Sequence, residues 1–386
     1  MSLALPAVIR QFWHDRSASA RRRAINLSLL GECLAVGDAY ATDLPDRLAA
    51  DSVDWQGLSW LAGACLVTPS LAGALQRKGL FDRLPDEVQD YLHTLQSLNR
   101  ERNQMLREQL IIITEALNRI DIQPVLLKGA ITLTSGQYPG AEDRVIGDLD
   151  LLVSDSLMEV ATAALTDMGY QLKDNDSQWV LPNHQEQHNL HGFPLIHPDL
   201  PVRVELHRRI LADKGDDALL CQQLITVPFT FDEGPTVLIP DVATRLLHNM
   251  LHCQISDRQR VKKMLNLRQL LEFAALVQHE TILLDTNRLL NRLHLQHQAI
   301  LAEYWAQAEH WLQMPYPDTL PRSPHQARQL WLLEKVATRL GWHQLFIFFD
   351  WLSRLPRRLL NLLVRLRLMP GYFPVRIRAV LKGQSY

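Results

Sequence analysis

The chain has 386 residues, 47% of them hydrophobic and 21% charged, with a formal net charge of −2. That length exceeds what a single hydrophobic core usually serves, so it predicts two or three domains of ordinary globular character. The near balance of charge excludes both an acidic tail protein and one that grips nucleic acid with its whole surface.

The four cysteines, Cys33, Cys65, Cys221 and Cys253, are scattered and form no CxxC pair. This is the usage of reduced thiols, and it predicts a cytoplasmic location. The opening MSLALPAVIRQFWHDR carries an apolar stretch too short for a signal peptide. No apolar run approaches the roughly 18 residues of a bilayer span, so no transmembrane segment is expected.

Residues 1–120 read as a helical region. Apolar residues recur at spacings of three and four, as at Leu92, Leu95 and Leu98, then at Met105, Leu106, Leu110 and Ile113. Breaks fall at Thr68-Pro69 and at Leu84-Pro85-Asp86, where Asp86 or a neighbour starts a new helix. Character changes at Ile122. QPVLLKGA (123–130) is a short buried strand entering a glycine turn, and DLDLLVS (148–154) is a second strand. SLMEVATAALTDMGY (156–170) is a helix closed by Gly169. NLHGFPLI and VRVELHRRI flank a turn from His197 to Pro201 and predict a hairpin; ITVPFTF and TVLIP add further strands. Helical spacing returns from Asp241 through Leu246, Leu247, Met250 and Leu251 to Val277. Pro315, Pro317, Pro321 and Pro324 mark a linker before a last helical segment. The fold class is α+β: a small mixed sheet over 121–240 between helical regions at 1–120 and 241–312, with a Pro-rich linker and basic helical segment over 313–386.

Within this frame two carboxylates need an explanation. Asp148 and Asp150 interrupt a strongly apolar run, and carboxylates among core residues cost free energy unless something pairs with them. Residues two apart on a strand share a face, so Asp148 and Asp150 project together. In VRVELH the same rule puts Arg203, Glu205 and His207 on one face. If the strands are neighbours, three carboxylates converge, and a divalent cation resolves the repulsion. Mg²⁺ suits such a set, because it takes oxygen ligands and keeps positions for water and phosphate. Removing one charge from such a cluster is expected to relieve repulsion.

The run LLKGA at 126–130, Tyr138, the stretch from Arg144 through DLDLLV to Val153, Gly169-Tyr170 and VELH at 204–207 together resemble a known family. It is the nucleotidyltransferase superfamily with a polymerase-β-type palm. More closely, the chain looks like a bacterial branch described as uncharacterised nucleotidyltransferases, from about Trp60 to about Leu276. The resemblance implies Gly129 in the turn, Asp148 and Asp150 as metal ligands, and Glu205 as the third carboxylate and general base. It implies two Mg²⁺, an NTP substrate, and an acceptor that is tRNA, protein or a small molecule. One departure stands out: Gly129-Ala130 replaces the Gly-Gly or Gly-Ser of the superfamily, removing a hydroxyl that often contacts phosphate. Backbone N–H groups of the turn, Lys128 and Arg144 are then the expected phosphate contacts. As a loop residue, Arg144 is expected to matter more for nucleotide binding than for folding. Two other readings are an inactive fold used as a binding or regulatory module, and a peripheral membrane adaptor.

The remaining histidines have blander expectations. His184, His188 and His191 crowd one segment, and His248 and His252 stand four apart on a helix, but position 249 is Asn, so HExxH is not formed. These are expected to be structural. His207 joins the site, its simplest role being a hydrogen bond that orients a carboxylate. After Asp350 come eight Arg or Lys and no acidic residue. This tail, with Leu359, Leu362, Leu363 and Leu366 at helical spacing, is expected to dock as a helix. Its arginines would offer a weak, salt-sensitive contact to polyanions or an anionic membrane surface.

Overall fold

In the computed structural model the described residues are 7–37, 40–135, 140–172, 192, 194–211, 214–232, 234–279, 286–339, 342, 344–347 and 350. Tyr138, His184, His188, His191 and the basic tail lie outside them.

Seven short strands form one mixed sheet in the order β3-β4-β5-β2-β1-β7-β6. They are β1 (Val125–Leu127), β2 (Leu149–Leu152), β3 (Gln171–Leu172), β4 (Leu195–Ile196), β5 (Val204–His207), β6 (Thr226–Thr230) and β7 (Thr236–Pro240). The central β1 runs antiparallel to β2 and parallel to β7, while β2 runs parallel to β5. The predicted hairpin is present, with Leu195 opposite Val204. A mixed sheet with helices before and after it is the expected α+β class.

Both faces of the sheet are covered. Leu126, Leu149, Leu151, Val204 and Leu206 pack with Leu106, Leu110, Ile113 and Leu117 of a long helix, α1 (Asp86–Asn118). Leu127 and Leu152 point the other way, into a larger core. That core joins Leu30 and Leu34 near the start of the chain to Leu246, Leu270, Leu301 and Leu312 after the sheet. The helical segments on either side of the sheet in sequence therefore share one core. Among the described residues no single helix is long and apolar enough to cross a membrane.

Local signals set the helix ends. α1 follows Pro85 and opens with Asp86 and Glu87, whose charges suit a helix N-terminus. Helix α2 (Val242–Leu251) is capped by Asp241, whose side chain accepts from the Thr244 N–H. α3 (Leu267–His279) packs beside α2, and both share the core of Leu127 and Leu152 on that face of the sheet.

The inward stripe of α1 differs from the expectation. Leu98 and Met105 are 55% and 49% exposed, and the buried positions between Leu92 and Leu106 are Gln96, Asn99 and Asn103. Their spacing of three and four is helical, but the stripe is polar. It faces a loop whose carbonyls need donors, and apolar side chains there would leave those carbonyls unsatisfied.

Candidate functional site

The register of three strands builds the site. Leu127 on β1 lies opposite Asp150 on β2, and Asp150 lies beside Glu205 on β5. Register partners on neighbouring strands project to the same face, and His207, two residues on, joins them. Asp150, Glu205 and His207 are all buried, and each offers a ligand atom within 4.8 Å of the others. Asp148 stands just before β2, nearer solvent.

The question of what these carboxylates pair with has an answer within the chain. Lys128 Nζ donates to Asp150 Oδ1 at 2.9 Å, and His207 Nε2 lies 2.6 Å from the same oxygen. Arg203 reaches Asp148 Oδ2 at 2.8 Å and Glu205 Oε1 at 3.0 Å. Burial alone would raise the Asp150 pKa, but the His207 hydrogen bond and the charges of Lys128 and His207 outweigh it. The carboxyl is held well below its ordinary range. The expected relief on removing a charge is therefore overturned for Asp150, whose ionised form is the favoured one.

The loop that leads into Asp148 is clasped from two sides. Asn99 and Asn103 both donate to the Arg144 carbonyl, at 3.0 and 2.8 Å, and Asn103 also reaches Ala141 O. Arg102 donates to Ile146 O, and Arg268 from α3 to Val145 O at 3.2 Å. Asp143 is fully buried beneath the loop, accepting from Arg77 at 2.6 Å and Gln96 at 3.0 Å. Gly73 makes room for it, since a Cβ there would fall 2.2 Å from Asp143 Oδ1. The polar stripe of α1 thus fixes the position from which Asp148 and β2 start.

Between the sheet and α2 and α3 lies a cleft of about 200 Å³ lined by Lys128, Gly129, Arg144, Asp148, Asp150, His248 and Arg268, among others. The Lys128 backbone is in the left-handed region at φ 50°. In a lysine this conformation is strained, and the turn that follows must hold it. Gly129 sits in a tight spot: a Cβ there would meet Ile146 at 3.2 Å and Arg144 Nη1 at 3.3 Å, so those side chains would have to give slightly. Ala130 packs into the core.

Arg144 crosses beneath the turn to Glu272 on α3, an ion pair of 2.6 Å with both side chains nearly buried. This corrects its reading as a loop arginine dispensable for folding: breaking a buried pair strands a charge.

The cleft also contains residues that sequence reasoning assigned elsewhere. His248 was expected to be a satisfied or exposed structural histidine. It lines the cleft, and its buried Nε2 has no hydrogen-bond partner among the described residues. Burial, then the charges of His252 and Lys128, push its pKa well below the ordinary histidine value, so it is neutral. Arg268 and Glu272 had no sequence signal beyond their spacing of four on one helical face.

Two carboxylates and an imidazole meet beside a cleft lined by both basic and acidic side chains, a grouping compatible with a metal ion. A family model described as "Uncharacterised nucleotidyltransferase" matches residues 51–313, and the chain belongs to that family. No curated protein and no solved structure matches it.

Proposed function

We propose that this protein transfers a nucleoside monophosphate from an NTP to an acceptor hydroxyl on tRNA, protein or a small molecule. The observation that carries this reading is the register of Asp150 beside Glu205 at the end of a cleft lined by Lys128 and Arg144. In a family of nucleotidyltransferases such a site has a direct use, and we place the sheet among polymerase-β-type palms.

Asp148, Asp150 and Glu205 are the ligands in this reading, for two Mg²⁺; Asp150 and Glu205 offer hard oxygens within 4.8 Å of each other, and Asp148, linked to Glu205 through Arg203, stands on the cleft side. Bound there, the ions would acidify the acceptor hydroxyl and neutralise phosphate charge. The chain's own residues do the rest. His207 holds Asp150 by one oxygen and leaves the other for a ligand. Glu205 takes the proton of the acceptor hydroxyl. Lys128, Arg144 and the N–H groups at Gly129 and Ala130 receive phosphate oxygens, replacing the hydroxyl that Gly-Ser would supply. Phosphoryl chemistry of this kind depends mainly on positioning and charge, which a clasped loop and a strained turn provide.

All four cysteines are free thiols, which suits the cytoplasmic location we propose. The basic tail is proposed as a weak polyanion contact for the acceptor. The reading is tested by pyrophosphate release from each NTP with Mg²⁺ and cell lysate, comparing the wild type with Asp150→Asn. Release by the wild type alone supports it; no release with any NTP, or equal release by both proteins, counts against it.

A further inference from the structure

We propose that Arg268 receives the phosphates of the nucleotide, so that α3 completes the triphosphate site from the side opposite the Lys128 turn. This rests on the nucleotidyltransferase reading and assigns a part of that site to a different region of the chain.

Arg268, Gln269, Glu272 and Leu276 face the cleft from α3 at spacings of one, three and four, a single helical face. Glu272, one turn along, is well placed for an i,i+4 pair with Arg268. Instead its Oε2 is held at 2.6 Å by Arg144. The other cleft carboxylates are engaged as well. Asp150 is held by Lys128 and His207, Asp148 by Arg203, and Asp257 lies 3.3 Å from His252.

Among the described residues no carboxylate forms an ion pair with Arg268; its hydrogen bond goes to the neutral carbonyl of Val145. Burial, and then repulsion from Arg144, lower its pKa, and the charges of Glu272, Asp148 and Asp257, each held by another cation, offset this only in part. A guanidinium carries five N–H donors in a rigid fork. One serves the carbonyl, and the cleft is where the others find an acceptor. A largely buried cation with no ion pair of its own is costly, and a ligand that supplies one recovers part of that cost on binding. Phosphate oxygens match the fork two at a time. The position, across the cleft from Asp148 and Asp150, also suits a polyphosphate whose reacting end lies at the carboxylates.

Two sources of phosphate chemistry, a nucleotide and a free polyphosphate, are separated by using both as probes. Calorimetric titration with inorganic tripolyphosphate, and with ATP, GTP, CTP and UTP in turn, is carried out on the full chain in Mg²⁺. Arg268→Ala should weaken tripolyphosphate and the preferred NTP alike, by roughly ten- to a hundredfold for a lost charge-assisted contact. The salt dependence of binding should become shallower. Arg268→Lys, which keeps the charge, should restore part of the affinity of both. A folded Arg268→Ala protein that binds both probes as the wild type does overturns the assignment. So does an Arg268→Lys protein that fails to fold, because the residue is then a structural brace of the 145 loop. A wild type that binds no NTP overturns the nucleotidyltransferase reading itself, whereas wild-type NTP binding that survives Arg268→Ala overturns this inference alone.

Discussion

Asp143→Asn tests the clasp beneath β2. Asp143 is 0% exposed, and its partners are Arg77, whose side chain is 40% exposed, and Gln96. Burial dominates, ahead of the attraction of Arg77, and pushes the carboxyl from 3.8 up to about 6. The sign follows from linkage. The folded protein keeps this proton to higher pH than the unfolded chain, so the stability it contributes is fully present below pH 3.8 and is lost as pH rises through about 6. The difference of about two pKa units corresponds to about 3 kcal/mol. Asparagine fills the same volume, still accepts from Arg77 and Gln96 through its amide oxygen, and does not titrate. Urea unfolding of both proteins across a pH series isolates the effect from all other titrating groups. Wild-type stability relative to Asp143→Asn should fall by about 3 kcal/mol between about pH 4 and about pH 7. A relative stability that stays flat, or that moves in the wild type's favour with rising pH, would show that Asp143 is ionised in the fold and that Arg77 outweighs its burial.

Asp150→Asn should abolish pyrophosphate release and also destabilise the fold by roughly 1–3 kcal/mol, since it removes the charge that Lys128 and His207 address. Because the Asp150 pKa is depressed, its stabilisation is present above the ordinary carboxylate pKa and lost as pH falls; a variant more stable than the wild type at neutral pH would contradict this. Arg144→Ala breaks a nearly buried pair and should cost roughly 3 kcal/mol, read by chemical denaturation, besides weakening nucleotide binding. An unchanged unfolding midpoint would refute the buried brace. His248 should remain neutral through pH 6.5, and an NMR titration in which its ring signals shift near that pH would refute its burial in the cleft wall.

The carboxylate core of this site was legible because it depends on local periodicity. Two-residue spacing put Asp148 with Asp150 in β2, and Glu205 with His207 in β5, on shared faces, and the pairing of β2 with β5 brought the two sets together. Their partners were less legible. Arg203 shared that face in the sequence reading, yet its role as counter-charge to both Asp148 and Glu205 depends on the parallel register of β2 with β5. The apolar stripe assigned to α1 failed for a related reason. Asn99 and Asn103 are buried because a loop more than forty residues away brings its carbonyls to them, and Gln96 because it donates to the Asp143 carboxylate of that loop; a hydrophobic pattern cannot register a polar core face. Arg268, Glu272 and His248 reach the cleft only because α2 and α3 pack over the sheet, a contact between segments far along the chain from the aspartates.

The central claim is that this site cleaves an NTP between its α- and β-phosphates and keeps the nucleotide on an acceptor. The most direct measurement compares α-labelled with γ-labelled NTP in the presence of Mg²⁺ and cell lysate. The account predicts that α-label becomes attached to an acceptor while γ-label leaves as pyrophosphate, and that Glu205→Gln abolishes both. Attachment of γ-label, or α-label transfer that survives Glu205→Gln, would contradict it.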